Sequence, residues 1–124
     1  MSSTQILIYV LIALIVLSMV RKAINKRKIK HYNAEEINSK LKSRSILLLD
    51  VRTDAERKSR NIKGSLHIPL NQLNRRTEEL RKYKDKEIVC YCRSGNRSLN
   101  AALMLQKQGF NAANLSGGIS HWNY

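Results

Sequence analysis

The chain has 124 residues, of which 23 are Lys or Arg and 9 are Asp or Glu, giving a formal net charge of +14. That length holds one small domain. The charge argues against a nucleic-acid-binding surface: six basic and no acidic residues fall within residues 1–30, the rest of the excess is scattered, and the single Phe and single Trp are not interleaved with it. Cys90 and Cys92 are too close for an ordinary disulfide, and His31, His67 and His121 lie far apart, so no disulfide, metal site or cofactor is expected.

The chain opens with an uncharged run. Ser2 to Val20 supplies 19 residues without a charge, enough to cross about 30 Å of hydrocarbon as a helix. A signal peptide would carry basic residues ahead of the run and small residues at a cleavage site, and a core helix would show a polar face. Neither pattern is present, so residues 1–24 read as a transmembrane anchor helix. Arg21, Lys22, Lys26, Arg27, Lys28 and Lys30 follow, the last four in a basic juxtamembrane segment over residues 25–30 that reads as a fraying end of the helix. Positive charge collects on the cytoplasmic side, so the expected protein is single-pass in the cell membrane, with its C-terminal domain facing the cytoplasm. The same cations suit anionic headgroups.

Residues 31–124 alternate strand-like and helix-like segments. Asn33 and Glu36 have the spacing of a capping box for a helix through Leu41. Ser45–Val51 is an unbroken aliphatic run ending in Asp50, as expected of a strand covered on both faces. Thr53 and Glu56 form a second capping box, opening a short helix that ends near Arg60. Leu66–Leu70 is a short extended piece containing the only proline, Pro69. Asn71 or Asn74 is expected to cap a helix reaching about Leu80. A strand over Glu87–Tyr91, a helix over residues 98–108 stopped by Gly109, and a strand over Asn111–Leu115 complete the order. Gly117-Gly118 reads as a turn into a final half-turn holding Trp122. The alternation predicts an α/β domain with a mostly parallel central sheet flanked by helices in three layers. In such sheets ligands sit off the carboxyl ends of strands, where Asp50 and Cys92 fall.

The segment Cys92-Arg93-Ser94-Gly95-Asn96-Arg97-Ser98 joins a strand to a helix. A helix N-terminus offers unpaired N–H groups and a positive partial charge, which favour an anion. A thiol there ionises more readily than a free cysteine, and the thiolate is the nucleophile. The expected site is therefore an exposed, ionised Cys92 ringed by the N–H groups of residues 93–98. Arg93 and Arg97 would supply charge-assisted hydrogen bonds to an oxyanion. Cys90 lies inside a strand and reads as core.

Together these residues resemble the rhodanese-like sulfurtransferase family. The resemblance covers residues 31–124 and rests on four motifs in the family's order. They are Leu49-Asp50-Val51-Arg52 with Glu56; Ile62-Lys63-Gly64-Ser65 running to His67-Ile68-Pro69; the Cys92–Ser98 loop; and Leu115-Ser116-Gly117-Gly118 with Trp122. It implies a rhodanese-type thiosulfate sulfurtransferase. Cys92 would take a sulfane sulfur from thiosulfate or a persulfide donor and pass it to a thiol or cyanide. It also implies that Asp50 braces the active-site loop by accepting hydrogen bonds, with Arg52 and Glu56 pairing across the next turn in support. Two positions depart from the family pattern: Arg57 replaces the usual aromatic, and Arg60-Asn61-Ile62 replaces Gly-His-Ile. Both changes add cations that would suit an acidic partner.

Two other readings compete with free turnover. A membrane-tethered persulfide carrier or docking module would use the same cysteine to serve one protein donor or acceptor. A cysteine phosphatase, a more distant third, also rings a cysteine with N–H groups. Those enzymes place five residues between Cys and Arg to wrap a phosphate, whereas four separate Cys92 from Arg97.

Overall fold

A computed structural model describes the backbone throughout residues 1–124 and the side chains of residues 1–24 and 29–124. Helix α1 (Ser3–Lys28) opens with a capping box between Ser2 and Gln5. Its stretch Ser3–Ile24 is long and apolar enough to cross a membrane and buries none of itself against the fold. That removes the core-helix alternative, since a core helix must cover an apolar face. The side chains of Lys26, Arg27 and Lys28 in the basic segment lie outside the described residues.

Five strands form one sheet: β1 (Lys30–Tyr32), β2 (Ile46–Asp50), β3 (Leu66–His67), β4 (Glu87–Tyr91) and β5 (Ala112–Leu115). Their order is β1-β5-β4-β2-β3, and every pairing is parallel. The α/β architecture expected from the alternation is therefore present. Strand β1 was not expected, because Lys30, His31 and Tyr32 carry no apolar alternation. Pairing places it: Lys30, His31 and Tyr32 lie opposite Ala113, Asn114 and Leu115. The preceding Ile29 is 3% exposed in the core, so the packed domain begins before residue 31.

Helices α2 (Ala34–Leu41) and α3 (Asp54–Ser59) are closed by the expected capping boxes, from Asn33 with Glu36 and from Thr53 with Glu56. The single helix expected from Asn71 or Asn74 to Leu80 is instead two pieces, α4 (Leu70–Leu73) and a 3-10 segment over Thr77–Tyr83. Neither asparagine caps a start. Pro69 precedes α4, and Arg76 leaves the helical backbone between the pieces. The Arg76 guanidinium ties them together by bonding Gln72 and the Glu79 carboxylate. Helix α5 (Asn96–Lys107) starts two residues earlier than expected, directly after Gly95 at φ +114°. A second 3-10 turn, Gly118–His121, precedes Trp122 at the edge of the core.

Side chains alternate across the sheet with the period of two that strands impose. Leu49, Val51, Ile88, Cys90 and Cys92 point to the face covered by α4, the first 3-10 segment and α5. Ile46, Leu48, Val89 and Tyr91 point to the opposite face, covered by α2, Ile62, Ile119 and Trp122. The middle and end of β2 and β4 are buried on both sides, as their aliphatic composition requires.

The position of β1 makes the domain boundary testable. A fragment beginning at residue 33 loses β1 and the buried Ile29 side chain. It is expected to unfold at least about 2 kcal/mol more easily than one beginning at residue 29, by chemical denaturation.

Candidate active site

Strand β4 ends at Tyr91, and the chain turns through Cys92-Arg93-Ser94 to Gly95 before entering α5. The left-handed backbone at Gly95 is one that a residue bearing a Cβ adopts only with strain. No side chain caps α5, so its first N–H groups remain available. The Gly95 N–H donates to Cys92 Sγ at 3.1 Å, and the Ser98 hydroxyl lies 3.3 Å from the same sulfur. Burial raises the pKa of the Cys92 thiol. Hydrogen bonding at the sulfur, including that from the N–H groups of Ser98, Gly95 and Ser94, outweighs burial and brings it below the ordinary value. Cys90 has no such partners, and burial with the neighbouring Cys92 pushes its thiol upward.

The anion cradle is thus present, but the sulfur is not exposed. Cys92 is only 1% accessible, because α5 and the C-terminal turn close over it. Ile119 and Ser120 donate their N–H groups to the carbonyls of Cys92 and Arg93, at 2.9 and 3.2 Å, and Ser120 Oγ adds a bond to Arg93. Gly118 makes this clamp possible: a Cβ there would overlap the Cys92 and Arg93 carbonyl oxygens. Gly117-Gly118 therefore serves close approach as well as turning the chain.

Of the expected oxyanion ligands, Arg93 makes no ion pair among the described residues, whereas Arg97 is already engaged. Its guanidinium forks onto the Glu56 carboxylate at 2.7 and 2.9 Å. Chiefly through Arg97, the Glu56 pKa falls to about 2. Glu56 therefore does not pair with Arg52, as expected from their closeness in sequence; its partner lies 41 residues away on α5. Ser94 and Asn96 are exposed at the mouth of the loop, and Ser98 is buried beneath it. Two hollows of about 330 and 480 Å³ flank the ion pair. Arg97 lines the first and Arg93 the second, Arg52 borders both, and Cys92 lines neither.

Arg52 instead binds Asp50. Its Nε and Nη2 reach the two carboxylate oxygens at 3.0 and 2.8 Å, and its N–H adds a third bond at 2.9 Å. Asp50 is fully buried, which raises its pKa, but these bonds and one from Tyr91 win and lower it. The expectation that Asp50 braces the Cys92 loop fails because Asp50 pairs with Tyr91 in register, on the sheet face away from Cys92. It braces the turn after β2 instead: Arg52 also donates to the carbonyls of Glu56 and Arg60. Arg57, in place of an aromatic residue, joins this network through Ser65 Oγ at 2.6 Å and the Ser65 carbonyl at 2.8 Å.

Sequence reasoning missed Asn114. It is 3% exposed, accepts from Ser98 Oγ at 2.6 Å, and directs its Nδ2 at the Gly95 carbonyl and His31 Nδ1. The available signal was an amide inside the otherwise apolar run Ala112-Ala113-Asn114-Leu115.

A parallel sheet carrying a cysteine in an N–H cradle at the carboxyl end of a central strand defines a rhodanese-like domain, and that family matches residues 33–124. The chain belongs to the rhodanese-like family. It is 35% identical over 96 residues to a sulfurtransferase of Allochromatium vinosum, covering 76% of this chain and 88% of that protein. It is 33% identical over 121 residues to YqhL of Bacillus subtilis, covering 97% of this chain and 93% of that protein. Among solved structures, a rhodanese-related protein from Thermoplasma volcanium superposes with a TM-score of 0.69 at 31% identity, over 75% of this chain and 89% of that one. These relationships support sulfur transfer as the activity class.

The clamp gives a sharp test. Gly118→Ala is expected to displace the Cys92–Arg93 backbone and cost about 1–3 kcal/mol, read as a lower denaturation midpoint. Thiol reactivity at Cys92 should change while the far-ultraviolet spectrum is retained.

Proposed function

We propose that this protein is a membrane-anchored sulfurtransferase that carries sulfur as a persulfide on Cys92. The observation carrying the reading is the Cys92 sulfur held at 3.1 Å from the Gly95 N–H at the start of α5. In the first half-reaction the Cys92 thiolate attacks the terminal sulfur of thiosulfate or of a persulfide donor. A new S–S bond forms, the old bond to that sulfur breaks, and its electron pair leaves with sulfite or with the donor thiolate. The anionic terminal sulfur then replaces the thiolate in the cradle. In the second half-reaction a thiol or cyanide attacks that outer sulfur, and the Cys92 thiolate departs. Loop N–H groups compensate negative charge at both stages.

The Glu56–Arg97 pair favours a protein-borne persulfide over a free oxyanion as the physiological donor. A small dianion meets a carboxylate already seated on Arg97, whereas a protein donor brings binding contacts of its own. The domain is held at the cell membrane by α1 and faces the cytoplasm. Support comes from the exposed apolar stretch Ser3–Ile24 and the cations that follow it.

Incubation with thiosulfate or a persulfide donor is expected to add the mass of one sulfur atom to Cys92 in the intact protein. The adduct should vanish on reduction, persist in Cys90→Ala and be absent in Cys92→Ala; an unmodified Cys92 under both donors overturns the reading. In membrane vesicles of known orientation, protease added on the cytoplasmic side is expected to remove the domain. Recovery of the chain in the soluble fraction defeats the anchor.

A further inference from the structure

The Ser98 hydroxyl has one hydrogen and two claimants. Cys92 Sγ lies 3.3 Å from Ser98 Oγ, and Asn114 Oδ1 lies 2.6 Å away on the other side. An amide oxygen can only accept, so the shorter contact requires the hydroxyl proton to point at Asn114. Ser98 then turns a lone pair toward the sulfur, a good partner for a thiol S–H and a poor one for a thiolate. The orientation of the Asn114 amide follows from its other contacts. Its Nδ2 donates to the Gly95 carbonyl at 3.3 Å and to His31 Nδ1 at 3.2 Å. Reversing the amide would set its oxygen against the Gly95 carbonyl oxygen.

We propose that Asn114 is a positioning residue that withholds the Ser98 proton from Cys92 and thereby sets how readily the thiol ionises. When Cys92 loses its proton to solvent, the Ser98 O–H must swing from Asn114 to the sulfur, and Asn114 Oδ1 gives up its donor. The thiolate therefore forms against a competing hydrogen bond. A persulfide, with its charge on the outer sulfur, would leave Ser98 bonded to Asn114, so the same arrangement favours the loaded state over the free thiolate.

The other titratable groups in the loop and the elements packed on it are Arg97 on α5 with its partner Glu56 from α3, Cys90 on β4, His31 on β1, and the solvent-exposed Arg93 of the loop and His121 of the covering turn. Arg97 is bound to Glu56, Cys90 is a buried neutral thiol, and His31 reaches the sulfur only through Asn114 and Ser98. The Ser98–Asn114 contact is thus the element whose removal isolates the effect.

The inference rests on the assignment of Cys92 as the reacting thiolate, but its test uses no sulfur donor, so the two can fail separately. The full-length protein is alkylated with iodoacetamide across a pH series, and modification at Cys92 is followed by mass. Asn114→Ala frees Ser98 to donate to the sulfur and is expected to speed alkylation about threefold or more on the acid side of the wild-type midpoint, half a pKa unit or more. Asn114→Val, an apolar residue suited to the strand, gives the same readout if the alanine variant does not fold. Asn114→Asp keeps an acceptor for the Ser98 proton and is expected to leave the rate unchanged or slow it. In a Ser98→Ala background the alanine and valine effects must disappear. An acceleration that survives in Ser98→Ala, or one shared by Asn114→Asp, overturns the proposal.

Discussion

The alternation of side chains along β4 is the constraint from which the rest of the site follows. Cys90 and Cys92 face α5, and Tyr91 between them faces away. The first cysteine past the strand end is therefore delivered to the N-terminus of a helix packed on that face. Gly95 admits the turn that aims the helix N–H groups back at the sulfur. A one-residue shift of register would send the thiol to the other layer, away from every donor that steadies its charge.

The same alternation divides the labour between two charged assemblies. On the far face, Asp50, Arg52, Arg57, Ser65 and Tyr91 form a buried, hydrogen-bonded group that fixes the turn following β2. Buried ions are tolerated when every partner is satisfied, and among the described residues no buried side-chain polar atom lacks one. On the near face the Glu56–Arg97 pair is partly accessible and joins α3 to the start of α5. The link between the two is local: Arg52 bonds the carbonyl of Glu56, and Glu56 grips Arg97. Support from Asp50 thus reaches the active-site loop through three residues rather than by direct contact.

Much of this was legible in the sequence because it rests on local rules. The capping boxes at Asn33 and Thr53 read correctly, since each is closed within four residues. The aliphatic runs of β2 and β4 and the glycine ahead of α5 carried the topology and the cradle. What was illegible depends on distant partners. Strand β1 exists because β5 offers it a free edge, and nothing in Lys-His-Tyr announces that. The partner of Glu56 could not be inferred from spacing, because Arg97 comes near only after the sheet has formed. The burial of Cys92 was missed for the same reason: the turn that covers it comes from the chain's last seven residues. Asn114 passed unnoticed because its three partners, Ser98, Gly95 and His31, come together only in the folded chain.

The direction of β1 has a mechanical consequence. It runs parallel to β4, so the chain arriving from α1 joins the sheet at the strand starts, whereas Cys92 lies just past the strand ends. Whatever grips α1 holds the domain by its back edge. The reactive rim lies at the opposite end of the strands from that attachment, so the two are separated by the length of the sheet.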